Sequence, residues 1–456
     1  MTETSSRRLS VLRSQLVSRC RLVDSTAGGS APAGCTSKRT QIFCKLHSKM
    51  EELVASGRIH GGSYSVARNG QILSCEGFGT APGVQSEHLL PPLAPIRADT
   101  IFITASVTKP VAGLAVMQLV EAGLLNLDAH VSSLLPGFAG GSKGAVTVRH
   151  LMTHTSGIPD GIAGVDRSTH PSLAEHSAAI NDMPLLFHPG NNISYSSAAF
   201  NVLADIVGVV SGRSLPVFLR ERVFLPLGMS DTCLGISTDR QSSRETAMNR
   251  EIATGMNGEQ LHPNKDSLAI AREVANAAGG PSAASASAAS AYTMYGHNCE
   301  YWRNLGAAWA GLTTTTADLS TLFQTLLGGG QRAGGGERIL SAETVRQMCR
   351  CHTHGPDASL AGSLPPAIRS GECGSIWDDK PASHWGLSLR LNDGERKFGL
   401  HTPRTVFGHH GGAGAMVWAD PASGVSFACL TTEPTMCYSS EFNELSDLAY
   451  QAALAF

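Results

Sequence analysis

A serine and a lysine three residues apart are the first residues of this chain that could do covalent chemistry. Ser106 and Lys109 form an S-x-x-K motif within Ile101–Gly123, where apolar residues recur at helical spacing. Pro110 lacks an N–H and suits a helix that begins shortly before it, so Ser106 should lie on the first turn. Residues three apart share a helix face, so the hydroxyl and the amine should point into the same space. The helix N-terminus beside them favours an oxyanion.

The same motif has a simpler interpretation. Serine often caps a helix, and lysine is usually solvated, so Ser106 and Lys109 could contribute only a cap and a surface charge. The choice depends on which other residues the fold brings to the motif.

Composition limits the class of protein. The 456 residues, 42% of them hydrophobic, are enough for a large core with an inserted or appended second region. With a formal net charge of -2 the chain has no excess of basic residues that would indicate binding to nucleic acid, so small or neutral ligands are the simpler expectation. The 11 cysteines lack the spacing of a secreted disulfide framework, which favours reduced thiols in a cytosol-like compartment. No apolar run is long enough for a membrane helix.

The N-terminal segment differs from the rest. Residues 1–38 are rich in arginine and serine and end in a Gly/Ala/Ser stretch. This fits a mitochondrial-type targeting segment, but Glu3 and Asp24 weaken the signal, and a disordered extension is an equal alternative. We predict a cytoplasmic location, or a mitochondrial one if the segment is a transit peptide.

Local patterns predict the elements around the motif. An amphipathic helix is predicted from Thr40 to Gly57, and a β-hairpin over Ser63–Gly79 with Asn69-Gly70 at its turn. Residues 124–138 and 150–160 are predicted as a helix end and loops. Later helices are predicted after Ser197, from about Leu215, over Ala317–Leu327 with Thr316 as its cap, and over Asn443–Ala455.

Strands dominate the chain from Trp385. The runs WGLSLRLN, RTVFGHHGGAGAMVWADP and VSFACLTTEP have strand patterns, with a turn at Asp420-Pro421 and Gly424. Strands near both chain ends, flanking a mostly helical middle, predict an α+β fold with one sheet built from both ends. We predict one domain, 40–456, with sheet parts at about 40–100 and 385–456 and an inserted helical region at about 125–380.

Two groups of histidines and cysteines were compared with metal sites. His150 and His154 are four apart, but no third ligand follows at a useful spacing. A looser cluster fits no standard zinc finger and is simply explained as a loop with free thiols: Cys349, Cys351, His352, His354 and Cys373. We predict no metal site, and a surface insertion at Val274–Ala291.

Three elements follow one another along the chain: Ser106-x-x-Lys109, Tyr195-Ser196-Ser197, and His409-His410-Gly411 followed by Gly412. With the phrases DTIFITASVTKP, LMTHTSG, FHPGNNISYSS, LPLGMSDT, AGLTTTTADL and FGHHGG, this order resembles the serine β-lactamase and penicillin-binding-protein superfamily. Within it, the chain resembles the branch of class C β-lactamases, family VIII carboxylesterases and eukaryotic β-lactamase-like proteins. The resemblance runs from about Thr40 to the C-terminus and implies a β-lactamase/transpeptidase-like fold.

The resemblance implies a serine hydrolase that works through an acyl-enzyme. Ser106 would attack a carbonyl carbon, and the backbone N–H groups of Ser106 and Gly412 would hold the oxyanion. Lys109 and Tyr195 are the candidate bases, because burial would lower the pKa of the lysine and the adjacent positive charge that of the tyrosine. Which of them takes the serine proton stays open, and Tyr195 is our preferred base for the attack of water. This chemistry requires no metal or organic cofactor.

Two positions depart from the pattern usual for lactamases and transpeptidases of this superfamily. Those proteins carry lysine in the third element and asparagine at the end of the second, whereas this chain has His409 and Ser197. Histidine offers a positive charge to a substrate carboxylate only partly, and serine offers no amide to an acylamino group. We predict that His409 is catalytic and that Ser197, His410 and Gly411 lie on the substrate side. Alternatively, the H-x-G element is His410-Gly411-Gly412, and His410 is then its histidine.

These observations predict a carboxylesterase-like hydrolase of small acyl esters. The expected partner is a small-molecule acyl substrate, with no nucleic acid and no membrane span, and the oligomeric state stays open. The alternatives are hydrolysis of a β-lactam or D-amino-acid peptide, acyl transfer to an acceptor other than water, and a non-catalytic scaffold with the same fold.

Overall fold

The computed structural model describes residues 38–81, 95–160, 170–235, 252–253, 300–353, 384–392 and 397–456. The chain divides into two units, Met1–Cys44 and Lys45–Phe456. In the first unit only residues 38–44 are described, and all are helical. Three predictions fall outside the described residues: the extension before residue 38, the insertion Val274–Ala291, and the part of the Cys/His cluster formed by His354 and Cys373.

The described strands form two sheets. In chain order they are β1 (Gly61–Arg68), β2 (Gln71–Gly79), β3 (Ile101–Ile103), β4 (Cys233–Leu234), β5 (Ile252–Ala253), β6 (Leu312–Thr314), β7 (Arg390–Leu391), β8 (Phe407–Gly411), β9 (Ala415–Asp420) and β10 (Val425–Thr431). The larger sheet has the order β2-β1-β10-β9-β8-β7, and the smaller one the order β4-β6-β3-β5.

The larger sheet is antiparallel and joins the two ends of the chain. Strand β1 pairs with β10, so that Tyr64 lies opposite Cys429, and the hairpin β1–β2 forms one edge. At its turn, Asn69 and Gly70 have φ values of +48° and +81°, as a two-residue turn with two left-handed positions requires. The predicted α+β fold, with one sheet built from both ends, is therefore confirmed. The smaller sheet was not predicted, because its strands have only two or three residues each.

The described helices flank the sheets, and most of them lie in the described parts of the middle of the chain. They are α1 (Lys38–Ala55), α2 (Thr108–Glu121), α3 (Val131–Leu134), α4 (Val148–Met152), α5 (Leu173–Asp182), α6 (Ala198–Ser211), α7 (Leu215–Leu219), α8 (Leu225–Leu227), α9 (Glu300–Leu305), α10 (Thr316–Leu327), α11 (Ala342–Cys349) and α12 (Ser440–Ala455). Taken singly, no described helix is both long and apolar enough to cross a membrane; α6 and the run from α7 through α8 pass that test only as a pair, bent by 73° at the break between them.

Several predicted helices are confirmed, and two details need correction. Helix α6 follows Ser197 and ends at Gly212, whose φ is +68°. Helix α10 is capped by Thr315, whose Oγ1 accepts from the Asp318 N–H at 3.1 Å, so Thr316 was one residue too late. The stretch 150–160 was predicted as a loop, but its first residues belong to α4, a short helix fixed by a capping box at Thr147.

Helix α2 is the buried helix that carries the S-x-x-K motif. Eleven of its 14 residues are buried, because it packs against other helices as well as the turn before it. A Cβ at Gly113 would lie 2.6 Å from Ser388, so glycine permits the close approach of the segment 384–392. That segment is also held by the Ser388 N–H, which donates to the Met152 carbonyl at 2.8 Å. Trp385 of this segment lies beside Tyr195, with 5.8 Å between the ring centres, and Arg390 lies over the Trp385 ring.

Candidate active site

The turn that carries Ser106 is fixed by neighbouring backbone. A 3₁₀ turn, Ala105–Val107, links β3 to α2. Thr108 Oγ1 donates to the Ala105 carbonyl at 2.6 Å and accepts from the Leu312 N–H at 3.0 Å, which ties the turn to β6. Ala105 has φ +47°, a conformation that a residue with a Cβ adopts rarely. The backbone is therefore strained next to a partly exposed Ser106, a feature common at functional sites.

Lys109 is wholly buried one turn after Ser106. Its Nζ donates to Ser106 Oγ at 3.0 Å and to the Trp309 carbonyl at 3.1 Å. Burial lowers the pKa of Lys109 to about 7, and the charge of Asp160 opposes part of that effect. The prediction that the hydroxyl and amine share a space is confirmed, and the alternative of a solvated lysine is wrong. Ser106 also caps no helix through its side chain.

Tyr195 packs against the amine of Lys109. Its side chain is buried just before α6, and Lys109 Nζ lies 4.6 Å from the centre of its ring. Burial raises the pKa of Tyr195, while a hydrogen bond to Ser106 acts in the opposite direction. We expected a lowered pKa for this tyrosine, and that expectation was wrong because burial outweighs the nearby positive charge. Tyr195 is therefore a protonated phenol near neutral pH.

The two histidines of β8 point to different neighbours. The ring centre of His409 lies 6.2 Å from that of Tyr195, and its Nδ1–H donates to the His410 carbonyl at 2.5 Å. The ring of His410 instead stacks on Phe398 and packs at a tilt against Tyr438, each at 4.7 Å between ring centres. Adjacent strand residues face opposite sides of a sheet, so His409 is the histidine on the side of Tyr195.

His409 carries little positive charge. Burial lowers the pKa of its imidazole well below the ordinary value, and the charges of Lys109 and Arg390 act in the same direction. Arg390 is itself buried, with its guanidinium 4.8 Å from the ring centre of Trp385. A neutral imidazole therefore stands where a lysine would place a permanent cation.

The last residue of β8, Gly411, lies against the residue that precedes the Ser106 turn. A Cβ at Gly411 would lie 1.9 Å from the Thr104 carbonyl oxygen, so only glycine lets the end of β8 come this close. Gly412 is the next residue, and a Cβ there would meet nothing within 4 Å. The predicted substrate-side serine, Ser197, donates its N–H to Asp160 Oδ1 at 2.6 Å and makes no side-chain cap for α6.

Two residues near the site were missed from the sequence. Asp160 contacts the Tyr195 segment through Ser197. His154 was considered only as a possible metal ligand with His150, yet its buried ring centre lies 4.5 Å from that of Tyr195. His150 Nδ1 accepts from the Thr147 N–H at the start of α4, so the two histidines serve different neighbours. Within the described ranges, no group of three or more His, Cys, Asp or Glu could hold a metal ion.

Comparison with known proteins places these residues in a wider context. The family model described as Beta-lactamase matches residues 46–441 of this chain. Esterase EstB of Burkholderia gladioli is 34% identical over 227 residues, which are 45% of this chain and 55% of that protein. Penicillin-binding protein 4* of Bacillus subtilis (strain 168) is 32% identical over 181 residues, 38% of this chain and 37% of that protein. These alignments therefore span about half or less of the relatives' own length.

A solved structure extends the similarity to nearly the whole chain. A family VIII carboxylesterase has a TM-score of 0.65 and 21% identity, with coverage of 93% of this chain and 99% of that one. This likeness confirms the predicted β-lactamase/transpeptidase-like fold.

Proposed function

The chain belongs to the Beta-lactamase family, and from that premise we propose that it is a serine hydrolase that cleaves small acyl esters through an acyl-enzyme. The observation that supports this best is the pairing of Ser106 Oγ with a buried amine at 3.0 Å whose pKa is lowered to about 7. A serine hydroxyl becomes an effective nucleophile when a neighbouring base takes its proton. Lys109 can be such a base near neutral pH, because burial lowers its pKa to about 7 and so favours the uncharged amine.

Acylation begins with the neutral form of Lys109. Its N–H stays on the Trp309 carbonyl, while its lone pair accepts the proton of Ser106. Ser106 Oγ bonds to the ester carbonyl carbon, and the C=O electron pair moves to the oxygen. The backbone N–H groups of Ser106 and Gly412 are the proposed donors to that oxyanion, and the close approach of Gly411 to Thr104 supports their proximity.

Tyr195 completes the transfer to the leaving group. When the C=O bond re-forms and the bond to the alcohol oxygen breaks, the phenol O–H gives its proton to the departing alkoxide. The Lys109 ammonium then returns a proton to Tyr195, and an acyl-Ser106 remains. In deacylation water attacks the acyl carbon, and its proton passes through Tyr195 to Lys109. When the bond from the acyl carbon to Ser106 Oγ breaks, the serine oxygen takes a proton back from the Lys109 ammonium. In this route Tyr195, whose pKa is raised, relays protons as a neutral phenol and does not need to be a phenolate before the reaction begins.

Two residues favour an ester over a carboxylate-bearing lactam. A neutral His409 provides no permanent cation for a substrate carboxylate, and Ser197 provides no side-chain amide for an acylamino group. The similarity to esterase EstB and to a family VIII carboxylesterase supports esterase chemistry. Penicillin-binding protein 4* keeps the lactam or peptide alternative open to test. The domain limits 40–456 and the cytoplasmic or mitochondrial location stay predictions from the sequence.

The decisive experiment compares two substrates and one variant. We expect the wild-type protein to hydrolyse a short-chain p-nitrophenyl ester faster than a chromogenic cephalosporin, and Ser106→Ala to lower ester kcat by on the order of 10⁴-fold. A fluorophosphonate probe should label the wild type and not Ser106→Ala. Ser48→Ala, at an exposed serine of α1, is the matched control and should keep both properties.

Three outcomes would contradict the proposal in different ways. Cephalosporin rates equal to ester rates would favour the lactam alternative. Full ester activity in Ser106→Ala would remove Ser106 as the nucleophile. Absence of both ester turnover and labelling in the wild type would favour the non-catalytic scaffold.

A further inference from the structure

One residue binds the backbone on both sides of Tyr195. The Ser194 N–H donates to the His154 carbonyl at 2.8 Å, and the Ser196 N–H donates to His154 Nδ1 at 3.1 Å. The two N–H groups that flank Tyr195 are thus held by the main chain and the side chain of the same histidine. Such a double attachment restricts the rotation of the peptide units on which the Tyr195 side chain is mounted.

The ring of His154 also packs on the phenol. Its centre lies 4.5 Å from that of Tyr195 at an interplanar angle of 31°, and 4.4 Å from that of Trp385 in an edge-on arrangement. The side chain is wholly buried, so no water layer loosens these contacts. Tyr195 is therefore held through its backbone neighbours and through its ring.

A left-handed backbone lets His154 make both attachments. Its φ is +60°, in a region where histidine is found more often than most residues with a Cβ but which still costs free energy. In this conformation the carbonyl and the ring turn towards the same segment, Ser194–Ser196. The strain is thus coupled to the placement of Tyr195.

Hydrogen bonding fixes the protonation of the ring. Nδ1 accepts from the Ser196 N–H, so a neutral His154 carries its proton on Nε2. Burial lowers the pKa of His154 well below its ordinary value, and the positive charges of Lys109 and Arg390 act in the same direction. The acceptor at Nδ1 is therefore retained across the neutral range.

We propose that His154 is a positioning residue that holds the Tyr195 hydroxyl on Ser106. The inference rests on the proposed function, in which Tyr195 relays protons between Lys109 and the reacting oxygens. His154 itself takes no proton in that scheme. Its contribution is geometric, since misplacing a proton relay by a fraction of an ångström slows the transfers without changing substrate binding.

Two amide variants separate this role from a general effect on the core. His154→Asn places its Oδ1 at the former position of Nδ1, and asparagine tolerates a left-handed φ. His154→Gln carries the same amide, but its oxygen falls near the position of Nε2. We expect His154→Gln to lower ester kcat about tenfold with KM within about twofold, and His154→Asn to keep kcat within about threefold of wild type.

Equal kcat values in the two variants would overturn the proposal, because the position of the acceptor would then not matter. Thermal melting shows whether each variant is folded. Should His154→Gln not fold, the Asn variant decides the matter alone: a folded His154→Asn with kcat lowered tenfold or more overturns the proposal, and near wild-type kcat supports it.

Failure of the proposed function would be seen separately. A wild-type protein without Ser106-dependent ester turnover or fluorophosphonate labelling contradicts the hydrolase, whatever the His154 variants do. In that case, crystal structures of the two His154 variants test the positioning role without measuring turnover. A Tyr195 hydroxyl still bonded to Ser106 in His154→Gln overturns the role, and a displaced hydroxyl in Gln but not in Asn supports it.

Discussion

Lys109 on α2 and Lys49 on α1 carry the same amine in opposite surroundings. Lys49 is partly exposed, and its Nζ lies 2.9 Å from Glu444 and 3.1 Å from Glu52. The hydrogen bond to Glu444 is the largest influence on Lys49 and raises its pKa. Lys109 is wholly buried, contacts neutral oxygen atoms of Ser106 and Trp309, and has a pKa lowered to about 7.

The difference shows what turns a lysine into a base. A carboxylate in contact stabilises the ammonium form, whereas removal from water destabilises it. Among the described residues, Lys109 forms no ion pair, and Asp160 acts on it only through its charge. The carboxylate of Asp160 is therefore close enough to offset part of the lowering of the Lys109 pKa by burial, but too far away to cancel it.

The largest expected effect follows from removing the buried amine. Lys109→Gln should lower ester kcat by on the order of 10³-fold, because the hydroxyl of Ser106 loses its proton acceptor. Lys49→Gln removes a lysine of the solvated kind and should leave kcat unchanged. Steady-state kinetics on a p-nitrophenyl ester, with melting curves for both variants, make the comparison. Similar losses in the two variants would show that burial does not distinguish these lysines chemically.

An intermediate effect is expected from the charge of Asp160. Lys109 must be neutral to accept a proton, so kcat/KM of the wild type should rise with pH to a half-maximal value near pH 7. Asp160→Asn keeps the acceptor for the Ser197 N–H but removes the charge that favours the ammonium. The midpoint should then move to lower pH, by less than about one pH unit.

The groups facing Lys109 make this shift specific. Besides Asp160 they are the Ser106 hydroxyl, the Tyr195 ring and the Trp309 carbonyl, with His154 and His409 nearby and uncharged in this range. Asp128→Asn is the matched control, because Asp128 pairs with Arg149 through a 2.7 Å contact and does not influence Lys109. A midpoint that stays in place or rises in Asp160→Asn would mean that Lys109 is not the titrating base.

The sequence predicted the parts of the site that depend on local geometry. Helical spacing alone placed the Ser106 hydroxyl beside the Lys109 amine, since residues three apart share a face in any helix. The hairpin turn at Asn69-Gly70 was equally predictable, because its two positive φ values require such residues. Tyr195 and His409 were found through the resemblance of ordered motifs, because no local spacing links either of them to Ser106.

The residues that were missed depend on contacts between distant segments. His154 and Asp160 act on the Tyr195 segment across more than 30 residues of chain, as in the 37-residue separation of Asp160 and Ser197. The pKa of Tyr195 was predicted in the wrong direction for a related reason. Its value depends on how completely Trp385 and other distant side chains exclude water, which no sequence window records.

The smallest effect is expected from Lys49, the partly exposed lysine, and it should change the stability of the protein rather than its catalysis. The pKa of Lys49 is raised in the folded state, so its ion pairs stabilise the fold fully below the ordinary lysine pKa and lose this contribution as pH rises above it. Lys49→Gln should therefore lower the free energy of unfolding at pH 7 by roughly 0.5 kcal/mol, as partly solvated pairs usually do. Lys45→Gln, at an exposed lysine of the same helix for which no ion pair is seen in the described part of the chain, is the control.

Urea unfolding at low salt and at 1 M NaCl measures both variants, and the difference between them should disappear at high salt through screening. A salt-independent loss in Lys49→Gln would mean that the aliphatic part of Lys49, rather than its charge, stabilises the helix. The electrostatic contrast between Lys49 and Lys109 would then be smaller than their surroundings imply.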